Sequence, residues 1–265
     1  MMNITIGQYY PGNSVIHRLD PRTKIICTLI FITAVFLAKT YVAYALLAGF
    51  VGLIIIFSRL PLSLIIKGVK PLWFIILLTV LIHFFTTKGE IIFSWWLLSV
   101  TQEGLDQGLM MAMRLLFLLI VSSLLTYTTS PIVLTDGIEK LLRPFKRIGV
   151  PAHELAMMMT IALRFIPTLL EETDKIMKAQ MSRGADFTSG NILNKAKNLV
   201  PLLVPLFISA FRRADDLATA MEARCYRGGE GRTRMHQLQL TRLDTYAYLY
   251  ISGLVLGLAY LRWLA

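Results

Sequence analysis

Two arginines stand 41 positions apart in nearly the same setting. Arg183 lies between Ser182 and Gly184, and Arg224 between Ala223 and Cys225, each closing a stretch that begins apolar and ends charged. The same shift superposes Asp174 on Asp215 and Ala179 on Ala220, so residues 151–229 read as one helical design used twice. A guanidinium is a planar fork of donors suited to carboxylates and carbonyls, and small neighbours let another protein's groove close around it. The local alternative is that each arginine complements a helix dipole and the last free carbonyls. Two matching ends favour a common partner.

Other chemistry is thin. His17, His83, His153 and His236 are scattered, and no nucleophile with a base, nor carboxylate with an acid, converges in sequence. Cys27 and Cys225 lie far apart with no metal-ligand spacing, and no Gly-x-x-x-x-Gly-Lys-Ser/Thr phosphate loop occurs. No catalytic, cofactor-binding or metal-binding residue is therefore expected, and ATP is not expected to bind this chain in the usual way. His83, within an apolar block, reads as a side chain bonded between helices or reaching a surface rather than a proton relay. The basic residues from Arg224 to Arg242 do not signal nucleic acid, because they sit beside an apolar block where positive charge marks the cytoplasmic side.

The elements that must carry these residues belong to a membrane protein. Of 265 residues 55% are hydrophobic, above the roughly 45–50% of soluble domains, and they come in blocks. Residues 25–57 are apolar except near Lys39 and Thr40; as one helix they would be about 50 Å long against a bilayer core of about 30 Å, so two short spans fit better. Spans are expected at about 25–38, 41–57, 71–85 and 109–127 in an amino-terminal part, 1–128. A last span follows in 244–265, where Gly253 and Gly257 give a weak Gly-x-x-x-Gly packing signal. Trp95 and Trp96 read as an interfacial anchor, and Arg114, near the start of its block, as a snorkelling side chain. Of 27 basic residues, 23 fall in 1–24, 58–70 and 129–243, which places the amino terminus in the cytoplasm and the carboxyl terminus outside. The fold class is an all-α membrane protein of about five transmembrane helices with long cytoplasmic helices in 129–243.

The apolar heads of the two repeats are interrupted by Arg164 and Pro167 in one and by Pro201 and Pro205 in the other. They are too short to span and are expected to pack on other protein or lie at the membrane edge. The run Met157, Met158, Met159 serves either as core filling or as a docking surface for partners of several shapes. In the tails, Glu171 with Lys175 and Asp174 with Lys178 are acid-before-base pairs four apart, and Gly184, less directly Gly228 and Gly229, can take the left-handed turn past a helix end.

The run Leu19-Asp20-Pro21-Arg22-Thr23-Lys24, the run Leu163-Arg164-Phe165-Ile166-Pro167 and the two short arginine motifs together resemble the T component of energy-coupling factor (ECF) transporters, EcfT. The motifs of that family are typically Ala-Arg-Gly or close to it; each motif here departs at one flank and keeps a small residue. The resemblance implies two ATP-binding-cassette ATPases docked on Arg183 and Arg224, with Ser182, Gly184, Ala223 and Cys225 forming the small flanks. It implies a membrane-embedded S component that captures a vitamin or metal ion and packs on the apolar heads, through Met157, Met158, Leu163, Phe165, Leu206 and Phe207. ATP hydrolysis would occur on the partners, and this chain would couple it to S-component reorientation. A polytopic membrane enzyme with a cytoplasmic active site is the alternative, and a self-sufficient channel a third reading. The transported compound and the number of S components sharing the scaffold are not legible.

Overall fold

In the computed structural model the protein is almost wholly helical. The structure describes residues 9–87, 89–95, 98–185, 187, 192–228 and 238–264, and for 91–95, 98–100, 192–198 and 264 the backbone alone. The chain divides into two compact units, Met1–Gly137 with Gln237–Ala265, and Ile138–His236.

In the first unit α1 (Pro21–Leu37), α2 (Tyr41–Ser58), α5 (Gln102–Thr128) and α9 (Arg242–Leu264) share one core. Phe31, Val35, Leu47, Phe117, Val121 and Ile251 are buried there, with Phe31 stacked on Phe50 and Phe50 on Tyr250. α3 (Leu62–Val69) and α4 (Trp73–Thr86) also pack on α5, while Trp73, Phe74 and Leu78 of α4 are exposed, as suits a surface facing lipid. Among the described residues four helical stretches are long and apolar enough to cross a membrane: Tyr41–Ser58, Leu62–Thr86, Gln102–Thr128 and Ala152–Ser182. The protein is an all-α membrane protein with a small antiparallel hairpin of β1 (Ile91–Trp95) and β2 (Leu98–Thr101) between α4 and α5.

Three expectations change here. α5 begins at Gln102, well before residue 109, because Thr101 caps it by accepting from the Gly104 amide at 3.1 Å. Arg114 is consequently mid-helix rather than near a start, and its guanidinium lies over the Phe36 ring, 5.5 Å from the centroid. The close glycine contact is not at Gly253, around which a Cβ would meet nothing within 4 Å, although at Gly257 it would lie 3.3 Å from Leu46. It is at Gly104 and Gly108 of α5, where a Cβ would stand 2.8 Å from the His83 carbonyl oxygen and 3.0 Å from the Phe84 ring of α4. The Trp96 anchor lies outside the described residues, as does the side chain of Trp95.

The run from Asp20 to Lys24 ties this unit together. Asp20 caps α1 and takes a two-pronged ion pair from Arg22, at 2.9 and 3.0 Å. The Asp20 amide donates to buried Asp244, which also accepts from the amide and hydroxyl of Thr241 at the start of α9. The Lys24 ammonium donates to the carbonyls of His17 and Thr128 and to the Thr129 hydroxyl, a cation at the carboxyl end of α5.

The second unit holds the end of α6 (Pro131–Leu142), then α7 (Ala152–Ser182) and α8 (Ile192–Ala223), which pack on one another. Neither is broken by its prolines: α7 runs through Pro167 and α8 through Pro201 and Pro205. A proline inside a helix removes one backbone bond, and long flanking helix on both sides holds the turn in place. α7 is therefore long and apolar enough to be a candidate span by length and composition, contrary to the expectation for its head.

Candidate functional site

Arg183 and Arg224 occupy the same position at the ends of α7 and α8. After α7 the Gly184 amide bonds the Met181 carbonyl and the Ala185 amide bonds the Gln180 carbonyl, each at 3.0 Å. After α8 the Cys225 amide bonds the Glu222 carbonyl at 2.8 Å and the Tyr226 amide bonds the Met221 carbonyl at 3.0 Å. Both are Schellman closures, with the arginine as the last residue before the left-handed one. That left-handed residue is Gly184 (φ 89°) in the first and Cys225 (φ 54°) in the second, so Cys225 itself makes the turn assigned to Gly228 and Gly229. Gly228 is left-handed further on, and Gly229 lies outside the described residues.

Such a closure satisfies the last carbonyls with backbone amides. Neither arginine is therefore required as the bonding partner of those carbonyls, and both side chains are exposed, as are Ser182, Gly184, Ala223 and Cys225. Two matching, outward-facing guanidinium ends result, each open to being gripped from outside the unit.

The residues between the two ends also obey the 41-residue shift. Glu172 of α7 and Arg213 of α8 form an ion pair, and they are equivalent positions of the two repeats. Around the apolar heads, Met158 and Phe207 are more than half exposed, and Met157, Leu163, Phe165 and Leu206 are partly buried. Phe211, Ile208 and Val204 extend the exposed apolar face of α8. An exposed face this apolar suits lipid or another protein rather than water.

Four residues, His153, Glu139, Tyr226 and Met157, were not foreseen as acting together. The His153 ring has Nδ1 3.1 Å from a Glu139 carboxylate oxygen and Nε2 3.1 Å from the Tyr226 hydroxyl. The same hydroxyl donates to the Met157 sulfur at 2.9 Å. His153 had no visible partner in sequence because Glu139 and Tyr226 lie 14 and 73 positions away. Among the described residues no group of three or more His, Cys, Asp or Glu could hold a metal ion.

The chain matches the family described as Cobalt transport protein, CbiQ, over residues 12–236, which includes both arginine ends. It is 64% identical over 263 residues to the energy-coupling factor transporter transmembrane protein EcfT of Acidaminococcus fermentans, covering 99% of this chain and 98% of that one. The chain belongs to the EcfT family. The EcfT of Thermosediminibacter oceani is 60% identical over 257 residues, covering 97% of each chain. That of Bacillus subtilis is 51% identical over 263 residues, covering 99% of each.

As an EcfT-family protein the chain is a transmembrane component of an energy-coupling factor transporter, and it resides in a membrane. Its relatives are named as transporter membrane proteins and not as enzymes.

Proposed function

We propose that this chain is the scaffold and coupling subunit of an ECF-type importer, gripped by two partner ATPases at Arg183 and Arg224. The observation that carries the reading is the pair of matching helix ends, closed by the same backbone bonds 41 residues apart and each presenting an exposed arginine. A dimer of ATPases offers two similar grooves, and two similar ends of one subunit fit two such grooves. An arginine held in a groove transmits displacement, because its fork bonds at two points and resists rotation.

The S component packs on the apolar heads, through Met157, Met158, Leu163, Phe165, Leu206 and Phe207. Movement of the ATPase-bound tails is carried along α7 and α8 to those heads, and the S component with its vitamin or metal ion is reoriented. Substrate recognition and ATP hydrolysis belong to the partners in this reading. The basic residues of 1–24, 58–70 and 129–243 place those segments in the cytoplasm with the amino terminus, and the carboxyl terminus outside.

Affinity purification of the tagged chain in mild detergent, followed by mass spectrometry, tests the assembly. Two ATPases, or a duplicated one, and a small membrane protein are expected in fixed proportion. A chain that purifies alone and turns over a lipid or nucleotide would instead revive the membrane-enzyme reading.

A further inference from the structure

The two arginine ends are alike in backbone and unlike in the residue two positions beyond each arginine. At the second end that residue is Tyr226, whose hydroxyl reaches back to the start of α7, touching His153 and Met157. Under the 41-residue shift Tyr226 corresponds to Ala185, His153 to Asn194 and Met157 to Asn198. An alanine has no hydroxyl to offer, so the first end lacks this tie by its sequence. Glu172 and Arg213, themselves 41 positions apart, are in contact as an ion pair between the two helices.

We infer that Tyr226 is a positioning residue that fixes the Arg224 end of α8 to the first turns of α7, a tie that Ala185 cannot make at the Arg183 end. The anchor is independent of the coupling role proposed above; only its consequence for transmission rests on that role. His153 is oriented from both sides: a carboxylate only accepts, so Nδ1 carries a proton toward Glu139 and Nε2 faces the phenol. The phenol has one proton and two acceptors within reach, His153 Nε2 and Met157 Sδ, and stays held whichever takes it. A ring with two polar partners on α7 and a backbone amide locked into the α8 closure cannot drift without breaking several bonds at once.

The consequence concerns transmission. Met157 is the residue before Met158, in the apolar head read as the S-component surface. A pull on Arg224 therefore reaches that head through two residues of chain and one side-chain contact, in addition to the long route through α8. The first end has no such short route through Ala185.

The test uses the full chain in lipid nanodiscs, first alone and then with its partners. In a Cys27→Ser background Cys225 is the sole cysteine, and it is exposed and free. A nitroxide on it should give a broad, immobilised spectrum. Tyr226→Phe, which keeps the ring, and His153→Leu should each raise its mobility several-fold. A nitroxide at Ser182→Cys, with Cys225→Ser, should be indifferent to both changes. An unchanged Cys225 spectrum in both variants would overturn the anchor, whatever the ATPases do. In the assembled complex MgATP should alter the spectrum of a label at Met158→Cys, and Tyr226→Phe should diminish that response while the ATPases stay bound. A response undiminished by Tyr226→Phe overturns the transmitting role. No response in the parent complex counts against the coupling reading itself and leaves the anchor standing.

Discussion

At the scale of single residues, the left-handed Cys225 makes the sharpest stability prediction. A side chain at that φ costs about 1 kcal/mol relative to glycine, and the equivalent place in the first repeat is already Gly184. Cys225→Gly should therefore raise the thermal midpoint of the purified chain, with ATPase association retained because the neighbour of Arg224 stays small. Lys24 gives the opposite case. Its ammonium serves three acceptors around the carboxyl end of α5, and Lys24→Met would leave them without a donor at a cost of about 1–3 kcal/mol. A clear fall in the thermal midpoint, read by intrinsic fluorescence in detergent, is expected; an unchanged midpoint would mean water replaces the lysine freely. The motif around Lys24 was legible as a family signature, yet its work as a three-helix tie was not. The partners that make the tie, Asp244 for Asp20 and Thr128 for Lys24, lie more than 100 positions away.

At the scale of elements, composition and repeat spacing carried most of the helices, while packing detail escaped them. Apolar blocks mark helices because a bilayer admits little else, and the 41-residue shift was visible in the two arginine ends with Asp174 over Asp215 and Ala179 over Ala220. The prolines misled, since their effect depends on how much intact helix flanks them, which no local window shows. The glycines misled for a related reason. Gly253-x-x-x-Gly257 and Gly104-x-x-x-Gly108 look alike as text, and the helix that approaches decides which one matters. Gly104→Ala places a methyl 2.8 Å from a backbone carbonyl that cannot step aside, so α4 and α5 must separate, at about 1–3 kcal/mol. Gly253→Ala meets nothing and should be neutral or gain up to about 1 kcal/mol from helix propensity. Thermal midpoints of the two variants should diverge in that order; equal midpoints would remove the close contact as a source of stability. The pairing of His153 with Tyr226 was illegible for the same reason as the lysine tie, since the two lie 73 positions apart.

At the scale of the whole molecule, the length of α7 raises the matter of whether it enters the bilayer from end to end. At 31 residues it would be about 47 Å long, more than the roughly 30 Å hydrocarbon core. Its tail carries Glu171, Glu172, Asp174, Lys175 and Lys178, each costing about 3 kcal/mol at the centre of a membrane. The reading in which the tails stay in the cytoplasm predicts that Lys88→Cys is labelled from outside in intact cells and Asn191→Cys only after permeabilisation. The reverse pattern would place the arginine ends outside and remove them from any ATPase.

The central claim is that two arginine ends couple ATP-driven movement to a membrane partner. Removing one partner of a desolvated charge pair costs about 2–5 kcal/mol, but a second attachment on the same dimer sustains binding at high effective concentration. Arg183→Ala or Arg224→Ala alone should then reduce uptake more than ATPase association, and lysine in either place should rescue poorly for want of the planar fork. The decisive measurement is the double variant Arg183→Ala with Arg224→Ala, assayed in cells for uptake of the compound bound by the co-purified S component and in detergent for ATPase retention. The account predicts a folded, membrane-inserted chain that has lost both ATPases and uptake; full uptake by that variant would contradict it.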